Sequence, residues 1–419
     1  MRASSMPGDE MKPSLSDIRV LELGQVLAGP YAGMILGDLG ADVIKIEPPL
    51  GGDSARGTPP HFYEGESVYF MALNRNKKSV SIDLASAEGL QVFYDLVKTS
   101  DVVLDNLRYG VAEKLKIDHE VLRAHNPRII CCSINGYGSD SPDRFKPSFD
   151  LMMQARGGGM SLTGEPGGPP LRMGISVSDH VAGIYAVAGI LAALHARERT
   201  GDGQRIEVPL FAVMISLLSY EAAFHLYSGE IPGPVGSGHR SLMPYNAVTT
   251  RDGHIVIDAH LPKFWSLLCK ALDDADLEKD PRFHTLDARN CNRRELMDIL
   301  KERFSSRTSS EWLEILSERG IPCAPINDLQ AALNDPTTLA LNMVVDIDHT
   351  GVGLRFRATG NPVRMSGAEN TRYGSPPLLG EHTEEVLRGL SGYSDEKVAG
   401  LLRRGAVRGQ SGPRTGEGT

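Results

Sequence analysis

Ile18-Arg-Val-Leu-Glu-Leu-Gly24, the turn Gln25 to Pro30, Tyr31 to Leu39, and Gly40-Ala-Asp-Val-Ile-Lys-Ile-Glu47 together decide the fold. The first segment reads as a strand. Tyr31 to Leu39 has the small and apolar spacing of a helix, with Pro30 at its first position. Residues 40–47 read as a second strand. Strand, helix and strand in so short a space form a βαβ unit, which implies a parallel sheet. The turn fails as a nucleotide loop, because GxGxxG is absent. Gly24 and Gly29 have the P-loop separation, but Pro30 and Tyr31 stand where Lys and Ser/Thr are needed. What remains is a helix N-terminus facing the crevice at the strand ends, where such folds bind ligands.

The alternation continues. Strands are expected at Ser79–Leu84, Asp101–Asn106, Asn126–Asn135 and Gln204–Leu210. Helices are expected at Ser86–Lys98, Arg108–Leu115, Phe149–Ala155 and Phe211–Tyr227. The first roughly 200 residues thus read as one open α/β domain. Ser228 to Gly238, rich in Gly and Pro, is the strongest linker in the chain. The expected division is a flexible 1–16, a large domain from 17–228, a linker and smaller domain over 229–328, a return to the large domain over 329–408, and a disordered tail at 409–419. In the smaller domain Asp252-Gly253 before His254–Asp258 signals a hairpin, and Ser309 or Ser310 would cap a helix to Arg319. Residues 321–326 link back. Asn74-Arg-Asn-Lys-Lys78 is a basic cluster, either a solvated loop or a contact to an anionic ligand.

Composition excludes several classes. The 419 residues are 41% hydrophobic and 23% charged with a net charge of −9, ordinary for a globular protein and without the basic footprint of nucleic-acid binding. The apolar run at 181–194 falls short of the roughly 18–20 residues that span a bilayer. The N-terminus shows no apolar signal region, and five sparse Cys fit a reducing compartment, so a cytoplasmic location and no membrane partner are expected. Cys131 and Cys132 read as core. The twelve His show no metal spacing, and no GxSxG elbow is present.

One stretch stands out chemically. Asp179 opens a long apolar helix that ends at Arg197, Arg199 and Gly201, after a Gly- and Pro-rich loop from Gly157 to Pro170. Asp179 either caps this helix or serves as a carboxylate nucleophile held ionised by the helix N-terminus. His180 is adjacent, but neighbours on a helix do not face each other, so the two make no dyad. Pro376-Pro-Leu-Leu-Gly-Glu-His-Thr383 reads as a turn into a helix capped by Thr383.

These stretches together resemble the class III coenzyme A transferases, the formyl-CoA transferase and carnitine CoA-transferase group. The markers are Ala28-Gly-Pro30 with 40–47; Gly51-Gly-Asp53 with Arg56; Asn76-Lys77 before Ile82-Asp-Leu84; Asn106 ahead of Lys114; Gly136-Tyr137; Gln154-Ala155; Thr163-Gly164; Asp179 with Gly183; and Thr200-Gly-Asp-Gly-Gln204. Pro322-Cys-Ala-Pro325 and Pro377 to Thr383 complete the set. The resemblance implies an open Rossmann-like parallel sheet with a smaller α+β domain inserted, and two chains interlocked as a homodimer. It implies Asp179 as the catalytic residue, coenzyme A or acyl-CoA as substrate rather than a permanently bound cofactor, and a small carboxylic acid as the other substrate. The positions matching CoA contacts are Ala28, Ile82, Asp83, Asn106, Lys114 and Tyr137. Lys114 replaces an arginine, keeping the charge without the fork. Pro48, Gln25, Leu27 and Asn135 depart from formyl-CoA transferase, and its glycine run is reduced to Gly236-Ser-Gly-His239, which argues against formate and oxalate. Backbone N–H groups around Gly136 and Gly238 are the expected oxyanion donors. The related α-methylacyl-CoA racemases place a histidine where this chain has Phe149. A silent CoA-binding protein is the remaining alternative, set against an intact Asp179.

Overall fold

The computed structural model describes residues 12–367 and 372–410. The loose ends expected before residue 12 and after residue 410 lie outside the described residues. Residues 13–16 are not loose: Leu15 N–H donates to the Leu39 carbonyl at 3.0 Å and Ser16 N–H to Pro13 at 3.1 Å. The chain forms two compact units. One takes the residues up to 157, 174–219 and 336 onward; the other takes 158–173 and 220–335. Residues 158–173, read from sequence with the first domain, thus fall in the second unit.

The first unit is built on a seven-stranded sheet. Its strands are β1 (Arg19–Glu22), β2 (Asp42–Glu47), β3 (Lys77–Ile82), β4 (Val102–Asp105), β5 (Ile130–Asn135), β6 (Arg205–Pro209) and β7 (Val407–Arg408). The order is β7-β3-β2-β1-β4-β5-β6. All neighbours are parallel except β7, which pairs antiparallel with β3. Strand order therefore reverses between β1 and β4, the switch point at which open α/β sheets bind ligands beyond the strand ends. Helices cover both faces. Val20, Val43, Leu104 and Ile134 pack with Ala32, Leu36, Ala186 and Ile190 on one side. Leu21, Ile44, Val80 and Val103 pack with Phe93, Leu96 and Leu401 on the other. Burial on both faces explains why β4 and β5 read as continuous apolar runs. Cys131 and Cys132 point into opposite cores.

The second unit holds the antiparallel sheet of Cys323–Pro325, His254–Asp258 and Tyr245–Thr249, packed on Trp265, Phe304 and Trp312. The segment 321–326, expected as a link, therefore contributes Cys323–Pro325 to this sheet. Thr308, not Ser309 or Ser310, caps the helix Ser309–Glu318, through a capping box with Glu311.

Four other expectations need correction. The helix expected over 211–227 is two helices, Leu210–Leu217 and Ser219–Ser228, because Ser219 takes φ +42°. The long helix runs from Val177 to Thr200, 24 residues, and is long and apolar enough to cross a membrane by length and composition. Its Ala182, Ala186, Ile190 and Ala193 nonetheless lie in the core, and buried Arg197 pairs with Asp101 at 2.8 Å. The basic cluster at 74–78 is largely paired within the chain, with Arg75 and Lys77 buried and Lys78 part-exposed. Arg75 grips Asp38 at 2.6 Å, Lys77 pairs with Glu22 at 2.6 Å, and Lys78 reaches Asp42 at 3.1 Å. Thr383 does not cap its helix. It is the first helical residue, and its hydroxyl accepts the Ser81 N–H at 3.0 Å, tying 376–383 to the edge of β3.

Candidate active site

The site begins in the loop after β1. Asn106, the first residue beyond β4, accepts the Gln25 N–H and donates to the Gln25 carbonyl, both at 2.8 Å. One amide thus laces together the two loops at the switch point. Val26 sits at φ +64°, a left-handed conformation that a β-branched residue rarely adopts. Its N–H donates to Asp53 Oδ1 at 3.0 Å, which holds it there. The Gly24–Gly29 spacing also finds its reason: a Cβ on Gly29 would lie 2.8 Å from Gly24 Cα, so two backbones touch where no side chain fits. The helix that follows, Ala28–Asp38, has no side-chain cap. Pro30 carries no N–H and the Tyr31 N–H donates to the Leu27 carbonyl at 2.7 Å, so the first-turn N–H groups without a side-chain cap are those of Ala28 and Gly29.

Beneath the loop lies a charge cluster with no exposed side chain. Lys45 pairs with Glu22 and Asp53, each at 2.9 Å, and donates to the Gly24 carbonyl at 2.6 Å. Lys77 also donates to the Pro30 carbonyl at 2.8 Å. Burial opposes the charge on Lys45, but Glu22, Asp53 and Glu47 outweigh it and hold its ammonium well above the usual range. Arg56 grips Glu47 with two nitrogens, each at 2.8 Å. The markers Asp53 and Arg56 thus serve the loop from below.

Asp179 enters from the long helix. Ser176 is the N-cap residue, and Asp179 is the third helical residue with no capping hydrogen bond. The open helix end is met instead by Asp150, whose Oδ1 accepts the Ser178 N–H at 2.9 Å and the Ser178 hydroxyl at 2.7 Å. Asp150 is held in turn by Gln154 at 2.7 Å. Sequence reasoning missed this division of labour, although Gln154 was among the family markers. Gly183, one turn on from Asp179, is where the two helices touch: a Cβ there would lie 3.0 Å from the Ala28 carbonyl and from Tyr31. His180 points elsewhere, with its Nδ1 2.8 Å from the Ser176 carbonyl and its ring edge-on to Tyr31.

Among the described residues the Asp179 carboxylate has no hydrogen-bond partner. Burial, and then the nearby charge of Asp150, push it up to about 7. The expectation that the helix N-terminus holds it ionised is thereby corrected: desolvation wins. Tyr69, a residue that sequence reasoning did not single out, lies close enough to feel Asp179; burial and that charge raise its phenol.

Asp179 opens onto a cleft of about 420 Å³ lined by the Gln25–Ala28 loop, Asn106, Asn135, Gly136, Arg144 and Phe149. Of the six expected CoA contacts, Ala28 and Asn106 share this cleft. Ile82 ends β3 and Asp83 follows it, Tyr137 follows β5, and Lys114 lies on the short helix Val111–Leu115 after β4. Every one of the six lies at or beyond the carboxyl end of a parallel strand, the ligand side of such a sheet. Asn135 is spent internally, donating to Glu207 at 2.6 Å and accepting the Gly138 N–H at 2.7 Å. Gly238 belongs to the second unit, where its N–H donates to the Val235 carbonyl at 3.3 Å. No group of three or more His, Cys, Asp or Glu able to hold a metal occurs among the described residues.

Known proteins agree with this architecture. The model of CoA-transferase family III matches residues 15–383. The chain is 35% identical over 399 residues to the human succinyl-CoA:glutarate CoA-transferase, covering 95% of this chain and 91% of that protein. It is 37% identical over 382 residues to the succinyl-CoA:mesaconate CoA-transferase of Haloarcula hispanica, covering 89% and 96%. The crystal structure of a CAIB/BAIF family protein from Brucella suis matches with a TM-score of 0.80 at 36% identity, over 91% of this chain and 100% of the other. A switch-point cleft with an aspartate that caps nothing, in a chain matched over residues 15–383, belongs to a member of CoA-transferase family III, an enzyme that moves coenzyme A from an acyl-CoA to a carboxylic acid.

Proposed function

We propose that Asp179 carries the transfer as a covalent nucleophile. The observation behind this reading is a half-buried carboxylate with no partner among the described residues, facing the cleft at the switch point. A carboxylate oxygen of Asp179 attacks the thioester carbonyl carbon; the C–S bond breaks, giving a mixed anhydride and CoA thiolate. The thiolate then attacks the Asp179 carbonyl carbon, releasing the donor acid and leaving an aspartyl-CoA thioester. The acceptor carboxylate attacks that carbonyl and expels the thiolate to form a second anhydride. Attack of the thiolate on the new acyl carbon gives the product thioester and regenerates Asp179. The N–H groups of Ala28 and Gly29, which no side chain caps, and those of the Gly136 turn receive the developing oxyanions.

Coenzyme A lies along the strand ends, with Ala28, Ile82, Asp83, Asn106, Lys114 and Tyr137 as its contacts. The donor is succinyl-CoA and the acceptor a small dicarboxylic acid, a choice supported by the substrates in the relatives' names. The enzyme works in the cytoplasm as an interlocked homodimer whose second unit is an inserted domain. The dimer is supported by exposed Ile184, Tyr185 and Leu191 on the long helix.

Asp179→Ala is expected to lower CoA exchange by on the order of 10⁴-fold with the fold intact by circular dichroism. Exchange at near wild-type rate would sink the assignment. Because the free carboxylate is pushed up to about 7 and must be ionised to attack, kcat/KM is expected to rise with pH through about 7.

A further inference from the structure

The cleft that holds Asp179 has cations on its wall: Arg108, Arg144 and Lys146. They differ in what they already hold. Lys146 is bound to Asp143 at 2.7 Å. Arg108 is exposed. Arg144 is half-buried, and among the described residues no carboxylate lies within ion-pair reach of it. Its guanidinium packs on the rings of Tyr109, at 5.6 Å, and Phe145, at 5.0 Å. Among the described residues the one hydrogen bond of the guanidinium is a long one, 3.5 Å, from Nη1 to the Ser141 carbonyl, and its Nε is buried with no partner. A buried donor left unmade costs free energy, so a built site supplies the acceptor from a ligand. A planar fork stacked on aromatic rings is suited to an anion with two oxygens, a carboxylate or a phosphate.

We infer that Arg144 is a specificity residue that reads the distal carboxylate of a dicarboxylic acyl group while its proximal carbonyl meets Asp179. This rests on the proposed role of Asp179. The acyl portion must lie in the same cleft as the nucleophile, and Arg144 lines that cleft. The phosphates of CoA are the other source of such an anion. Of the expected CoA contacts, Ala28 and Asn106 line this cleft while Ile82, Asp83, Lys114 and Tyr137 do not, so CoA affinity is the measurement that separates the two sources. A monocarboxylate of the same length leaves the fork empty, and discrimination follows from that unpaired charge.

The test compares glutarate with pentanoate as acceptors, using succinyl-CoA as donor, in the wild type, Arg144→Met and Arg144→Lys. Free CoA binding is measured alongside by calorimetry. The wild type is expected to prefer glutarate by at least about 30-fold in kcat/KM, through KM, and Arg144→Met to erase that preference. In this double-displacement exchange kcat/KM for the acceptor does not contain the succinyl-CoA half-reaction. So kcat/KM for pentanoate, and CoA affinity, should stay within about twofold, and Arg144→Lys should restore part of the preference. Equal losses for both acids, or weakened CoA binding with the preference kept, would overturn the inference and leave the Asp179 chemistry standing. Retained transfer without glutarate preference in the wild type does the same. Absence of transfer to any acid in the wild type overturns both.

Discussion

Two charged regions lie side by side at the end of the sheet, and they are built on opposite rules. Beneath the β1 loop, Glu22, Lys45, Asp53 and Lys77 are fully buried and paired with one another at 2.6–2.9 Å. On the cleft wall, Asp179 and Arg144 are half-buried, and neither has an opposite charge within reach among the described residues. A charge paired inside the chain fixes geometry, because removing either partner strands the other in a low dielectric. A charge left without a partner is held at a cost that only a substrate relieves. In this fold, whether the partner lies inside the chain separates scaffold from chemistry more sharply than residue type does.

Loss of Asp179 has the largest expected effect, on the order of 10⁴-fold on exchange, with no matching loss of stability. The scaffold should answer the other way. Lys45→Met leaves Glu22 and Asp53 buried without their ammonium, and is expected to destabilise by about 3–5 kcal/mol. The measurement is the denaturant midpoint, and an unchanged midpoint would break the comparison. Asn106→Ala tests the seam between the two regions. It removes two hydrogen bonds to Gln25 and should lower kcat/KM by about 10- to 100-fold while the midpoint moves little. The smallest effect is a gain. The folded state raises Asp179 from 3.8 to about 7, so it favours the protonated form. Stability is therefore full below about 4 and declines as pH rises through about 7. Asp179→Asn, neutral throughout, should melt about 2–4 °C above the wild type at pH 8, and the gap should close toward pH 4. A gap that widens on acidification contradicts the assigned environment.

Much of the large sheet was legible because periodicity and burial coincide there. β2, β4, β5 and β6 read as strands between turn signals, and the helix expected from Ser86 begins there, the Ser86 hydroxyl accepting the Gly89 N–H at 3.0 Å. The helix break at Ser219 was not legible, since a positive φ at serine leaves no mark in composition. The buried fate of Arg75 and Lys77 was hidden for a different reason. Their partners Asp38 and Glu22 lie 37 and 55 residues away in the chain, and charge alone reads as surface.

Sequence by itself determined the βαβ start, the alternation that requires a parallel sheet, the placing of Asp179 at the mouth of a long helix, and a resemblance strong enough to carry the family. These are local patterns, set by periods of two and 3.6 residues and by turn chemistry. Tertiary structure decided what those residues do. It put Asp150 on the helix end, so that Asp179 is a first-turn acid that caps nothing, and it buried that carboxylate beside a second negative charge, which raises it to about 7. It strained Val26 over Asp53, and it left Arg144 with a buried nitrogen and no partner. Desolvation and pairing depend on which distant segments meet, and that is a property of the folded packing alone.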